Sequence, residues 1–360
     1  MNNSNKITKF SLHPLYVVIP LCLWGLYLRL QMRKADLWLD EMMQLVTINR
    51  PFPEFVKMLP QFEHTSYLNG DFFLMYPFVK IFGFDKWCLA IPHLLATILG
   101  FYLLYLICQR YFQTIWAYGI TFGLVCFNAT LIKHALEIRP YAVLPTLALA
   151  VYYFMQMFIE QHRTFPRKKR LLLGVLLILT IWFHHYGIFM VFFTAFYFLW
   201  LRKKKDSWKN IIKTFFPFFA VIFLISMPLW CYSTWGPHRP SSWLHIQDTF
   251  QFIPGPVANP AGFFKGVVCN LVGYKLFYLL AAGLLVPAFL AYKNRSQQIL
   301  FLCVLVILPI VFILLADIIQ KYWFVQRQFI WVMPFFAFLL GWCWESGLIF
   351  LKRKNEEYTG

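Results

Sequence analysis

The chain has 360 residues, of which 60% are hydrophobic, 21% aromatic and only 13% charged, and its mean hydropathy is +0.59. That composition excludes a soluble domain and indicates an integral membrane protein. The formal charge of +18 does not imply a nucleic-acid partner, because the basic clusters at 163–170, 202–205, 293–295 and 352–354 separate apolar runs, where they read as cytoplasmic anchors facing anionic lipid.

Taken in chain order, the first apolar run, 14–31, follows Lys6 and Lys9, has no small-residue cleavage site and ends in Arg29 and Arg33, so it reads as an uncleaved anchor. Residues 40–60 follow, with two short segments ended by Pro51 and Pro60, and then 71–84; all are read as helices lying at or dipping into the interface. Further crossings are expected near 87–108, 114–133, 142–160, 171–183, 188–201, 210–233, 264–292, 297–316 and 328–350, about ten in total. The stretch 171–201 is long for one span and short for two. Basic clusters on both flanks require an even number of crossings, so it reads as a hairpin turning at His184, His185, Tyr186 and Gly187. The eight cysteines stand singly, without metal-ligand spacing, and read as small core residues.

The expectation is one all-α polytopic membrane domain over 1–360. Its first outer loop spans 32–86, another outer loop spans 234–263, no soluble C-terminal domain follows, and both termini are cytoplasmic. This threading rests on the basic clusters alone. It nevertheless gathers Asp40, Glu41, His64, Glu137, Arg139, His184, His185, Asp317, Lys321 and Arg327 on one face, so the chemistry is expected at the outer leaflet.

Within that set, Asp40 in "ADLWLDEMMQLV" is either a partly desolvated general base or the N-cap of the helix that follows. Arg139 in "HALEIRPYAV" either snorkels or holds an anion near the headgroups. Glu137 is its ion-pair partner or, with Asp40 and Glu41, part of an oxygen-rich site for a divalent ion such as Mg or Mn. His184 and His185 suit a phosphate, a metal or a polar turn. Lys321 and Arg327, among Tyr322, Trp323 and Trp331, fit a phosphate site or an aromatic belt with snorkelling cations.

The order of these motifs resembles the polyprenyl-phosphate-dependent glycosyltransferases of the GT-C class, the group that includes protein O-mannosyltransferases and the lipid A aminoarabinose transferase. The matching stretches are "LWLDE", His64 with "YLNGDFFLMYPFVKIFGF", "EIRPYAV", "HHYG" and "VQRQFIWVMPFFAFLLG". The resemblance implies a GT-C-like bundle and an inverting transfer of a hexose-type sugar. In that transfer Asp40 activates the acceptor, Glu41 assists it or helps bind a divalent ion, and His64, Glu137, Arg139, Tyr141, His184, His185, Lys321 and Arg327 contact substrate. Relatives often start the interfacial segment with an H-x-P-rich sequence, where this chain has "HTSYLNGDFF".

The sequence thus predicts a glycosyltransferase of a bacterial-type cytoplasmic membrane. It would carry sugar from a polyprenyl-phosphate donor to a glycan, lipid or protein acceptor at the outer face. The alternatives are a flippase of polyprenyl-linked glycan, which should scatter its charges through the bilayer depth, and a polysaccharide polymerase or ligase.

Overall fold

Uninterrupted apolar runs must satisfy their backbone groups internally when they enter a bilayer, and helices are the local solution. The computed structural model describes residues 13–33, 37, 39–58, 70–160, 166–202, 216–227, 261–262, 289, 297–320 and 330–359. Its helices are α1 (Leu15–Met32), α2 (Leu39–Ile48), α3 (Phe52–Met58), α4 (Gly70–Phe82), α5 (Lys86–Cys108), α6 (Ile115–Phe127), α7 (Ala129–Lys133), α8 (Val143–Glu160), α9 (Arg167–Phe183) and α10 (Ile188–Arg202). A helix over Phe216–Met227, α11, is followed by α12 (Gln297–Gln320) and α13 (Met333–Thr359). By length and composition, Leu15–Met32, Lys86–Cys108 and Ile330–Ile349 can each cross a membrane, and five shorter apolar helices accompany them.

Local chemistry explains the boundaries. Gly83, at φ 62°, ends α4 in the left-handed region where only glycine is unstrained. The Asp85 carboxylate then caps α5, accepting from the Trp87 and Cys88 amides at 3.0 and 2.8 Å. These bonds, the Cys88 amide foremost, hold its carboxyl below the usual carboxylate range. The run expected as one crossing at 114–133 breaks at Asn128, whose Oδ1 accepts from the Leu131 amide at 2.9 Å and starts α7. The expected hairpin is present: α9 ends at Phe183, a 3₁₀ turn spans His185–Gly187, and α10 begins at once.

Helix α13 packs chiefly on α6, α5 on α8, and α1 on α6. Glycines stand at all three crossings. A Cβ on Gly25 would press on Cys126, one on Gly100 on the Thr146 hydroxyl, and one on Gly341 on α6 at Thr121 and Ala117. In a membrane, where lipid tails give helices no hydrophobic reason to associate, such close approach supplies the packing contact. At the end of the bundle remote from Arg33, the buried Glu345 carboxylate of α13 holds the α5–α6 turn, accepting from the Gln113 and Thr114 amides and the Thr114 hydroxyl.

The first loop is docked on the bundle. Leu45, Ile48, Phe55, Phe72, Met75, Val79, Leu89 and Ile138 form a second buried cluster joining α2, α3 and α4 to α5 and to the segment before α8. Helix α2 turns its polar side inward: Glu41, Gln44 and Thr47 are buried while Met42, Met43 and Val46 are exposed. Spacing of three places these polar groups on one face, and the exposed apolar face suits contact with lipid.

Candidate active site

Arg33 stands just past α1 and turns back into the protein. Its Nε donates to the Lys86 carbonyl at 2.9 Å, and its Nη1 to the Leu136 carbonyl at 3.2 Å and to Glu41 Oε1 at 3.0 Å. The same Glu41 oxygen accepts from the Ile138 amide at 2.8 Å. With 5% and 3% of their side chains exposed, Arg33 and Glu41 interact in a low-dielectric setting where the pair is strongly coupled. The end of α1, the first turn of α2, the start of α5 and the 134–142 segment are therefore clamped together. Asp40 is the second residue of α2, inside its first turn rather than at the cap, and directly precedes the clamped glutamate.

The 134–142 segment is itself folded on local bonds. His134 Nδ1 lies 2.7 Å from Glu137 Oε1, the Arg139 amide donates to the Glu137 carbonyl at 2.8 Å, and the Leu144 amide donates to the Pro140 carbonyl at 2.9 Å. Pro140 precedes α8, where its missing N–H costs little. Arg139 and Tyr141 are buried. The Tyr141 ring meets His134 edge-on at 5.5 Å and lies 6.5 Å from His184, which links this segment to the α9–α10 turn. There His184 Nδ1 accepts from the Tyr186 amide at 3.2 Å, and the Gly187 amide donates to the His184 carbonyl at 2.7 Å. A Cβ on Gly187 would collide with the Thr180 carbonyl, so only glycine permits so tight a turn.

Tyr141 also lines a partly open, mostly apolar groove together with Phe101, Leu104, Leu149, Pro334, Thr97 and Arg29. Arg29 is buried in α1 and donates to the carbonyls of Gly25, Cys126 and Val125 at 2.8, 3.1 and 3.0 Å. A guanidinium in a membrane span is costly unless so bonded.

The structure thus brings Glu41, Glu137, Arg139, Tyr141 and His184 to one end of the bundle, beside the helix that carries Asp40. His64, Lys321, Arg327, the loop 234–263 save 261–262, and the crossing 264–292 save 289 lie outside the described residues, as do the side chains of Asp40, His185 and Asp317. Among the described residues no group of three His, Cys, Asp or Glu could hold a metal. Glu41 Oε1 is shared between Arg33 and Ile138, and Glu137 Oε1 faces His134, so these two carboxylates each commit an oxygen to the protein.

Four participants escaped the sequence reading. Arg33 read only as the end of the anchor, and Gln44, Asp71 and His93 were not singled out. Asp71 Oδ2 accepts from Gln44 Nε2 at 2.6 Å and its Oδ1 lies 3.0 Å from His93 Nε2. A histidine within an apolar run and an acid opening another are signals that could have found this pair.

Over residues 71–232 the chain matches a family model described as dolichyl-phosphate-mannose-protein mannosyltransferase. No curated protein matches the sequence. Among solved structures, ArnT from Cupriavidus metallidurans in the apo state is similar with a TM-score of 0.57 at 15% identity, over 91% of this chain and 59% of ArnT. The same protein bound to undecaprenyl phosphate gives 0.56 at 16% identity, over 91% of this chain and 59% of ArnT. The Archaeoglobus fulgidus oligosaccharyltransferase in complex with Zn and sulfate gives 0.56 at 14% identity, over 93% of this chain and 49% of that one. The chain therefore spans about half to three-fifths of these proteins' lengths. Helix composition, order and superposition agree: this is a polytopic membrane protein with the GT-C fold, the class its sequence resembles.

Proposed function

We propose that this protein is a membrane glycosyltransferase that moves a sugar from a polyprenyl-phosphate donor to a glycan, lipid or protein acceptor at the outer face of a bacterial-type cytoplasmic membrane. The observation that carries the reading is the Arg33–Glu41–Ile138 clamp, which fixes the helix bearing Asp40 against the segment bearing Arg139; Tyr141 of that segment lines an apolar groove. Acid, cations and a lipid-compatible surface then share one end of the bundle, as transfer from a lipid-linked donor requires. ArnT was solved with undecaprenyl phosphate bound, which supports a polyprenyl donor for the same fold.

In this reading Asp40 takes the proton of the acceptor hydroxyl or amine. The acceptor atom bonds to the anomeric carbon as the bond from that carbon to the phosphate oxygen breaks, and the configuration inverts. Arg139 and His184, with His185 and Arg327, stabilise the charge that develops on the leaving polyprenyl phosphate. Glu41 holds Asp40 in place through the clamp.

Incubating membranes containing the protein with a panel of radiolabelled polyprenyl-phosphate sugars tests this reading. Time-dependent loss of label from the lipid to an acceptor, absent from membranes lacking the protein, is the expected result. Label that crosses the bilayer while remaining on its lipid would establish the flippase instead.

A further inference from the structure

We infer that Gln44, Asp71 and His93 form a buried latch that sets the position of α2, and with it Asp40 and Glu41, at the site. Its consequence for catalysis rests on the function proposed above; its structural part does not. Asp71 is the second residue of α4, Gln44 lies one helical turn after Glu41 on the same inward face of α2, and His93 lies two turns into α5. All three are at most 1% exposed. Both Asp71 oxygens are engaged, Oδ2 by the Gln44 amide at 2.6 Å and Oδ1 by His93 at 3.0 Å. A carboxylate buried this deeply is tolerated only when so bonded, so α2 cannot lift from α4 and α5 without exposing an unsatisfied charge.

Two further observations separate a positioning part from simple reinforcement. His93 Nδ1 and Gln44 Oε1 are buried with no hydrogen-bond partner among the described residues. A network that leaves two polar atoms unpaired stabilises the fold less than an apolar contact of the same shape would. The latch is also wired to the opposite wall of the site. A Cβ on Gly70, the residue before Asp71, would come within 2.9 Å of the Trp182 carbonyl and the Phe183 ring, so the start of α4 is pressed against the residues that lead into His184. Gln44, Asp71 and Gly70 thus run in series from the Asp40 helix to the His184 turn. These are positioning residues, acting through α2.

Amide exchange in the peptide containing Ile138, whose N–H bonds to Glu41, reads the position of α2 independently of any reaction. In Asp71→Asn the new side-chain amide can face Gln44 donor to donor. Exchange there should rise roughly tenfold, as for loss of one bond to a charged group, and kcat should fall by about as much while the donor KM stays within about twofold. Adding Gln44→Glu supplies an acceptor for that introduced amide and should return exchange and kcat to within about threefold of the native values. Gln44→Leu, which leaves the Asp71–His93 pair intact, should raise Ile138 exchange as Asp71→Asn does, and guards against a poorly folded Asp71 variant. Unchanged exchange in folded Gln44→Leu, or a double variant no better than Asp71→Asn, would overturn the latch. A wild-type protein inactive with every donor, whose Ile138 exchange still responds, would refute the proposed function and support the latch.

Discussion

Replacing Glu41 distinguishes a carboxylate that holds the site from one that performs chemistry or binds metal. One Glu41 oxygen accepts from both Arg33 Nη1 and the Ile138 amide, at 3.0 and 2.8 Å, and both ionic partners are nearly inaccessible. Glu41→Ala leaves a buried guanidinium and a buried amide without that acceptor, and loss of one partner of a buried pair costs about 3–5 kcal/mol. Glu41→Gln keeps an oxygen in the same place and loses only charge assistance, so its cost is about 1–2 kcal/mol, the difference between bonds to charged and to neutral acceptors. Replacing Arg33 and Glu41 together with methionine should cost less than Glu41→Ala, because no charge remains buried alone. Equilibrium unfolding in mixed micelles measures all three variants. If Glu41 positions, Glu41→Gln should retain a tenth or more of the transfer activity, roughly one factor of ten for about 1.4 kcal/mol. Stability of Glu41→Ala within about 1 kcal/mol of the native protein, or complete inactivity of a well-folded Glu41→Gln, would exclude a positioning role for Glu41.

Other expectations follow from the same geometry. Arg139→Ala should raise the donor KM about tenfold or more, as for loss of a charge-assisted bond; an unchanged donor affinity would remove Arg139 from the phosphate site. Gly70→Ala forces a methyl group against the Trp182 backbone and should cost about 1–3 kcal/mol by overpacking, measured by the same unfolding assay. Because the Asp85 carboxyl titrates below its ordinary range in the folded protein, its cap supports α5 fully above the unfolded carboxylate value, and that support is lost as pH falls through the folded value. Protection of the Trp87 and Cys88 amides, taken relative to the unprotected exchange rate at the same pH, should therefore fall on strong acidification, and Asp85→Asn should remove that acid dependence.

Much of the architecture was legible because its causes are local. Apolar run length gave the helices, basic flanks gave the helical hairpin around "HHYG", and the same charge rule gathered Glu137, Arg139 and His184 at one end, where the fold also places them. The break at Asn128 was legible in principle, since asparagine before a helical stretch is a capping signal. What escaped depends on contacts between residues distant in sequence. Arg33 reads as the end of an anchor until α2, α5 and the 134–142 segment close around it, and no spacing rule links Gln44, Asp71 and His93 across three helices. The inward polar face of α2 was not read from the sequence either: an interfacial helix was expected, and Met42, Met43 and Val46 are exposed as that suits, but which partners cover Glu41, Gln44 and Thr47 depends on the packing of distant segments.

In the proposed reaction Asp40, on the clamped α2 helix, is the base for transfer from a polyprenyl-phosphate sugar. The most direct measurement compares native protein and Asp40→Asn in proteoliposomes supplied with labelled donor and acceptor, with donor binding followed in parallel. Asp40→Asn should bind donor normally and transfer no sugar; transfer at the native rate would exclude Asp40 as the base.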